Sequence, residues 1–78
     1  MNNIIISYQC GDNNGVPVDF MTSQDGELYA EEVISSDRLS ENGDFLPGEE
    51  DASRDRLRAE IIRQATAAGI DPDLLKWN

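Results

Sequence analysis

Few groups in this chain are suited to chemistry, and their spacing limits them further. The only thiol is Cys10; the adjacent acid pairs are Glu31-Glu32 and Glu49-Glu50; and two polar stretches, Asp12–Gly15 and Ser40–Asp44, carry the oxygen ligands that hard cations prefer. None of the 78 residues is histidine. That removes the commonest general base, the hydroxyl–imidazole and thiol–imidazole nucleophile pairs, and every imidazole metal site.

The remaining candidates are weak one by one. Neighbouring residues on a strand point to opposite faces, so neither acid pair is predisposed to share a proton. A calcium loop beginning at Asp12 would need its third ligand at Val16 and its glycine at Pro17. Ser40–Asp44 makes an ordinary turn. Cys10 has no basic neighbour in sequence to lower its pKa, which favours a buried or inert thiol. Trp77, close to Leu75, reads as a core plug. No catalytic residue, metal ligand or cofactor is expected, and the chain does not read as an enzyme.

Charge is the stronger signal. The chain carries sixteen acids and six bases, a net charge of −10. Residues 1–53 hold twelve of the acids and one base, Arg38, whereas residues 54–78 hold four acids and five bases. Direct nucleic-acid binding is opposed, because phosphate is repelled and the arginines form no dominant patch. A partner with a basic surface is favoured. Duplex DNA carries about one charge per 100 Å² of its surface. A folded chain of this mass exposes on the order of 4,700 Å², and confining the acids of residues 1–53 to half of it gives about one net charge per 215 Å². Local mimicry of a duplex is compatible with that density, and a whole-surface copy is not.

The elements that must position these charges fall into three stretches of one domain: residues 1–34 mainly β, an acidic loop over 35–52, and a helical part over 53–78. "NIIISYQ" predicts a strand, "CGDNNG" a turn, "VPVDF" a second strand, with Pro17 placing it at an edge or shortening its ladder. "SQDG" predicts a hairpin turn ahead of "ELYAEEVI", which reads as a third strand, although Tyr29–Val33 and Ala30–Ile34 are also helical neighbours. Leu57, Ile61, Ala65 and Ala68 predict a helix over about 53–68, capped by Asp51 or Ser53. Gly69 and Ile70 form its stop signal. Asp71-Pro72 predicts a short terminal helix through Leu74, Leu75 and Trp77, with Ile70 and Leu75 stapling its start.

This layout places Arg54, Arg56 and Arg58 in the first helical turns, the unfavourable end of the helix dipole, so nearby acids must neutralise them. The stem of Arg58 is expected to cover Ile62. The expected architecture is α+β: an antiparallel sheet of about three strands, one C-terminal helix packed on it, and the short terminal helix. With a single cysteine there is no intramolecular disulfide to staple so small a domain, which favours a reducing cytoplasm. The first fifteen residues have neither the basic region nor the apolar run of a secretory signal or membrane span.

In size and charge the chain resembles the small acidic inhibitors that phages make against host defence, anti-CRISPR proteins and DNA-mimicking inhibitors among them. The likeness lies over residues 25–51, on Asp25, Glu27, Glu31, Glu32, Asp37, Glu41, Asp44, Glu49, Glu50 and Asp51. It implies stoichiometric inhibition by protein–protein binding, those acids meeting a basic nucleic-acid-binding protein, nuclease or defence complex in a bacterial cytoplasm. Leu39, Phe45 and Leu46 are the expected apolar anchors. Small immunity proteins and antitoxins share the profile. The alternative is a small structural or assembly module whose acidity keeps it in solution.

Overall fold

A computed structural model describes residues 3–78. Four strands, β1 (Ile4–Asn13), β2 (Val16–Ser23), β3 (Tyr29–Val33) and β4 (Leu75–Trp77), and one helix, α1 (Glu49–Ala67), make up an α+β fold. The sheet order is β3-β2-β1-β4. Neighbouring strands are antiparallel except β4, which runs parallel to β1.

The first hairpin forms because Asn14 and Gly15 both take positive φ, 57° and 84°, the geometry a tight two-residue turn demands. The turn is therefore narrower than "CGDNNG", and Cys10 to Asn13 continue the strand. Residues 29–33 resolve as a strand rather than a helix. Val18, Phe20 and Thr22 of β2 pair with Val33, Glu31 and Tyr29. Pro17 does not put β2 at an edge, because β2 lies inside the sheet. Its missing N–H falls where the β2–β3 ladder ends, and only its carbonyl is used, accepting from Ile34 N–H at 2.9 Å.

Alternation sorts the strands into two faces. Ile6, Met21, Ala30 and Leu75 turn toward α1 and form a core with Leu57, Ile61, Ala65 and Leu28, against which Ile4, Tyr8, Ile70 and Trp77 pack. The helix presents Ser53, Leu57, Ile61 and Ala65 at four-residue spacing, all buried, while Ile62 and Ala68 are exposed.

Two corrections concern the helical part. The helix starts at Glu49, four residues before the predicted position, and neither Asp51 nor Ser53 caps it. Its N-cap is Gly48, at φ 84°, with no side-chain bond. Glu49, Glu50 and Asp51 occupy the first turn, where negative charge suits the dipole, and the arginines begin in the second turn. The second correction is the chain end. Asp71 does cap a turn, its carboxylate accepting from Asp73 N–H at 3.0 Å, but Pro72–Leu74 is a single 3-10 turn, after which the chain straightens into β4. Leu75 and Trp77 pair with Ile4 and Ile6, and Asn78 N–H donates to Ile6 carbonyl at 2.9 Å, covering the free edge of β1.

The stop signal at the end of α1 behaves as read. Gly69 has φ 79°; its N–H reaches Thr66 carbonyl at 3.1 Å and Ile70 N–H reaches Ala65 carbonyl at 2.8 Å. These two bonds make a Schellman cap that folds Ile70 onto the core.

Candidate functional site

The site is built around acids, and the fold divides them by role. Glu32 lies on β3 with its side chain on the helix face, one residue from Glu31, which lies on the opposite face. Arg38 Nη1 donates to Glu32 Oε1 at 2.9 Å, Arg56 Nε to the same oxygen at 2.8 Å, and Ser53 Oγ to Oε2 at 2.8 Å. Partial burial pushes the Glu32 carboxyl up, but these three donors outweigh it and hold the group below its usual range. Arg38 also donates from Nε to Glu49 Oε2 at 2.7 Å and from Nη2 to Glu49 carbonyl at 3.0 Å. One guanidinium thus ties β3, the following loop and the start of α1 together.

Other arginines are also neutralised internally. Arg54 pairs with Glu50 at 3.4 Å, and Arg63 with Glu60, whose carboxyl is drawn down to about 2 by Arg63 and then by Gln64. Arg54 lies over the Tyr8 ring, 4.4 Å from its centroid, a contact that compensates in part for an Nε with no hydrogen-bond partner among the described residues. The Arg58 guanidinium stacks 5.1 Å over Trp77, and Ile62 remains 39% exposed. Trp77 is half-buried against the core, consistent with a packing role.

Beside this cluster, Tyr8 hydroxyl donates to the buried Asp19 at 2.7 Å and accepts from the Cys10 thiol at 3.2 Å. Burial, with the Cys10 bond and the Asp19 carboxylate, pushes the Tyr8 hydroxyl far up. Cys10 is exposed rather than buried, yet desolvation of its sulfur and Asp19 push its thiol up as well. A raised thiol is a poor nucleophile at neutral pH.

Of the sixteen acids, Glu32, Glu49, Glu50 and Glu60 are in ion pairs among the described residues, which leaves twelve outside any pair. The expected partner-binding set does not form one patch. Asp25 and Glu27 sit in the β2–β3 turn, exposed, with Asp25 accepting from Ser23 hydroxyl and Glu27 N–H. Asp37, Glu41, Asp44 and Asp51 lie beyond the opposite end of β3, five residues or about 17 Å away. Glu31 stands between them on the uncovered face, accepting from Tyr29 hydroxyl at 2.6 Å.

The loop end is ordered by its own bonds. Leu39 and Phe45 form an isolated bridge; Ser40 N–H donates to Asp44 carbonyl at 2.7 Å and Leu46 N–H to Arg38 carbonyl at 3.0 Å. The turn between them exposes Glu41 and Asp44, with Leu46 exposed beside a half-buried Phe45. The β1–β2 turn projects at this same end and brings exposed Asp12 to it, a residue the sequence offered only as a cation ligand.

Among the described residues no cluster of three or more acidic or thiol groups is close enough to share a metal ion, and no helix is long and apolar enough to cross a membrane. Comparison with known protein families, curated proteins and solved structures gave no match, so no relative's activity bears on the chain.

Proposed function

We propose that the protein is a stoichiometric inhibitor that acts by protein–protein binding, its loop end engaging a basic nucleic-acid-binding protein, nuclease or defence complex in a bacterial cytoplasm. The observation that carries this reading is the segregation of charge. Glu32, Glu49 and Glu50 neutralise arginines within the fold, whereas Asp12, Asp37, Glu41, Asp44 and Asp51 are exposed at one end without an ion-pair partner among the described residues. An interface of this kind gains its speed and selectivity from charge and its hold from a few apolar anchors, a part that suits Leu46 and Phe45. An immunity protein or antitoxin would use the same arrangement against a basic toxin.

Affinity capture from bacterial lysate at low and moderate salt, followed by mass spectrometry, tests the proposal. It expects one basic protein retained in stoichiometric amount, released by added salt and displaced by duplex DNA. Retention of no basic protein, or of a partner indifferent to salt, removes the electrostatic mechanism. A second reading, a small assembly module, is favoured by a different feature, the uncovered face of the sheet.

A further inference from the structure

That face departs from the rest of the surface in charge. Ile5, Val16, Tyr29 and Val33 are 43, 43, 46 and 60% exposed, and strand alternation places all four on the side away from α1. The same side holds Phe20, whose ring lies over Gly11 and 6.2 Å from the Tyr29 ring. A Cβ at Gly11 would stand 3.3 Å from Phe20 Cε1, so any larger residue there would make the ring give way slightly. Among the described strand residues, Glu31 and Lys76 are the only charged groups on this side, which also carries the uncharged Ser7, Gln9, Asn13 and Thr22, giving it no net charge in a chain of −10. An apolar, neutral sheet face on a strongly acidic protein is the kind of patch that marks an interaction site.

We propose that this face binds the same face of a second copy, forming a two-fold dimer of stacked sheets. The proposal goes beyond the inhibitor reading and does not depend on it. Three observations choose the occupant. The face carries a single acid, Glu31, balanced by Lys76, and so lacks the acidic excess that a basic partner would need and that would repel an identical surface. The sheet edge is guarded against strand addition where the helix reaches it: Gln64 donates to Tyr29 carbonyl at 2.8 Å and accepts from Tyr29 N–H at 3.2 Å, occupying both outward groups of that residue. Its charges are self-complementary, because Glu31 lies on the β3 edge and Lys76 on the β4 edge of the order β3-β2-β1-β4. Glu31 stands level with Gln9 and Lys76 with Ile5, four residues or about 13 Å apart along the strands. A two-fold axis running diagonally across the face, with the strands of the two copies crossing near a right angle, therefore brings Glu31 of each copy to Lys76 of the other.

Area sets the size class of the interface. Four strands at ~4.8 Å spacing and about seven residues long give ~450 Å² of flat sheet per copy, so stacking buries on the order of 1,000 Å² in total. That is the lower limit of a specific interface, so a weak, concentration-dependent association is expected.

Sedimentation velocity of the full chain over about 1–500 µM, at low and high salt, is the test. The 8.7 kDa chain is expected to shift toward twice its mass as concentration rises. Added salt is expected to tighten the association by screening the repulsion of two acidic bodies, opposite to its effect on a basic partner. Val33→Glu, at an exposed position, is expected to weaken dimerisation at least tenfold with the circular dichroism unchanged. Ile5→Thr gives the same readout on a different strand should Val33→Glu misfold. A chain that stays at 8.7 kDa throughout overturns the proposal and leaves the face to a different protein. A dimer whose affinity ignores both substitutions overturns it also, since association would then use another surface.

Discussion

Glu32 and Glu41 are the same residue type nine positions apart, and the fold gives them opposite work. Glu32 receives three donors between β3 and α1 and is 22% exposed at its side chain; Glu41 stands exposed on a turn with no ion-pair partner among the described residues. The difference is one of position. An acid on the inner face of a strand needs hydrogen-bond donors, since an unsatisfied buried charge is costly; Arg38, Arg56 and Ser53 supply them to Glu32, as the Tyr8 hydroxyl does to Asp19. An acid on the loop end remains hydrated and available. The count of sixteen acids therefore overstates the acidity on offer: twelve lie outside the ion pairs among the described residues, and five of these, Asp12, Asp37, Glu41, Asp44 and Asp51, gather at the loop end.

The largest test of this contrast is Glu32→Gln. It leaves Arg38, Arg56 and Ser53 with one weakened acceptor among them, and a loss of about 2–3 kcal/mol in urea unfolding is expected. In so small a domain that is a considerable part of the total.

The cost should depend on pH, with a definite sign. Glu32 is held below its ordinary value of 4.5, so its contribution is fully present above that pH and is lost as pH falls through the folded value. The gap in stability between wild type and Glu32→Gln is expected to be constant near neutrality and to shrink below about pH 4.5. A gap that persists at the acid limit would mean that the substitution acts through packing.

A smaller effect is expected at the junction of the two regions. Gly48 holds φ 84° at the start of α1, and Gly48→Ala is expected to cost about 1 kcal/mol by strain, although open space surrounds the position. Smallest of all, the combination Asp37→Asn, Glu41→Gln and Asp44→Asn is expected to change stability by no more than about 0.5 kcal/mol. A large loss in that variant would show that these acids, too, hold the fold.

The sequence made some of this legible. Strand alternation already separated Glu31 from Glu32, and the glycine-isoleucine stop at 69–70 was readable because a Schellman cap is local. The start of α1 was misread because Glu49-Glu50-Asp51 resembles a run leading to a cap, whereas a left-handed Gly48 fixes the entry. β4 was hidden for another reason. "LKW" is too short to show a period, and its pairing with β1 spans almost the whole chain. The ion pairs of Glu32 were equally out of reach, since Arg56 lies 24 residues away. The neutral sheet face became visible only once β4 set Lys76 opposite Glu31.

The central claim is that the loop-end acids serve binding while the inner acids serve folding. Parallel capture from one bacterial lysate tests it directly, comparing wild type with the variant Asp37→Asn, Glu41→Gln, Asp44→Asn and Asp51→Asn, at low salt and with the unfolding midpoint of each recorded. The account predicts that the variant unfolds within about 1 kcal/mol of wild type, the loss of the Asp51 charge from the first turn of α1 included, yet fails to retain the basic partner that wild type holds. Equal retention by the two proteins would contradict it.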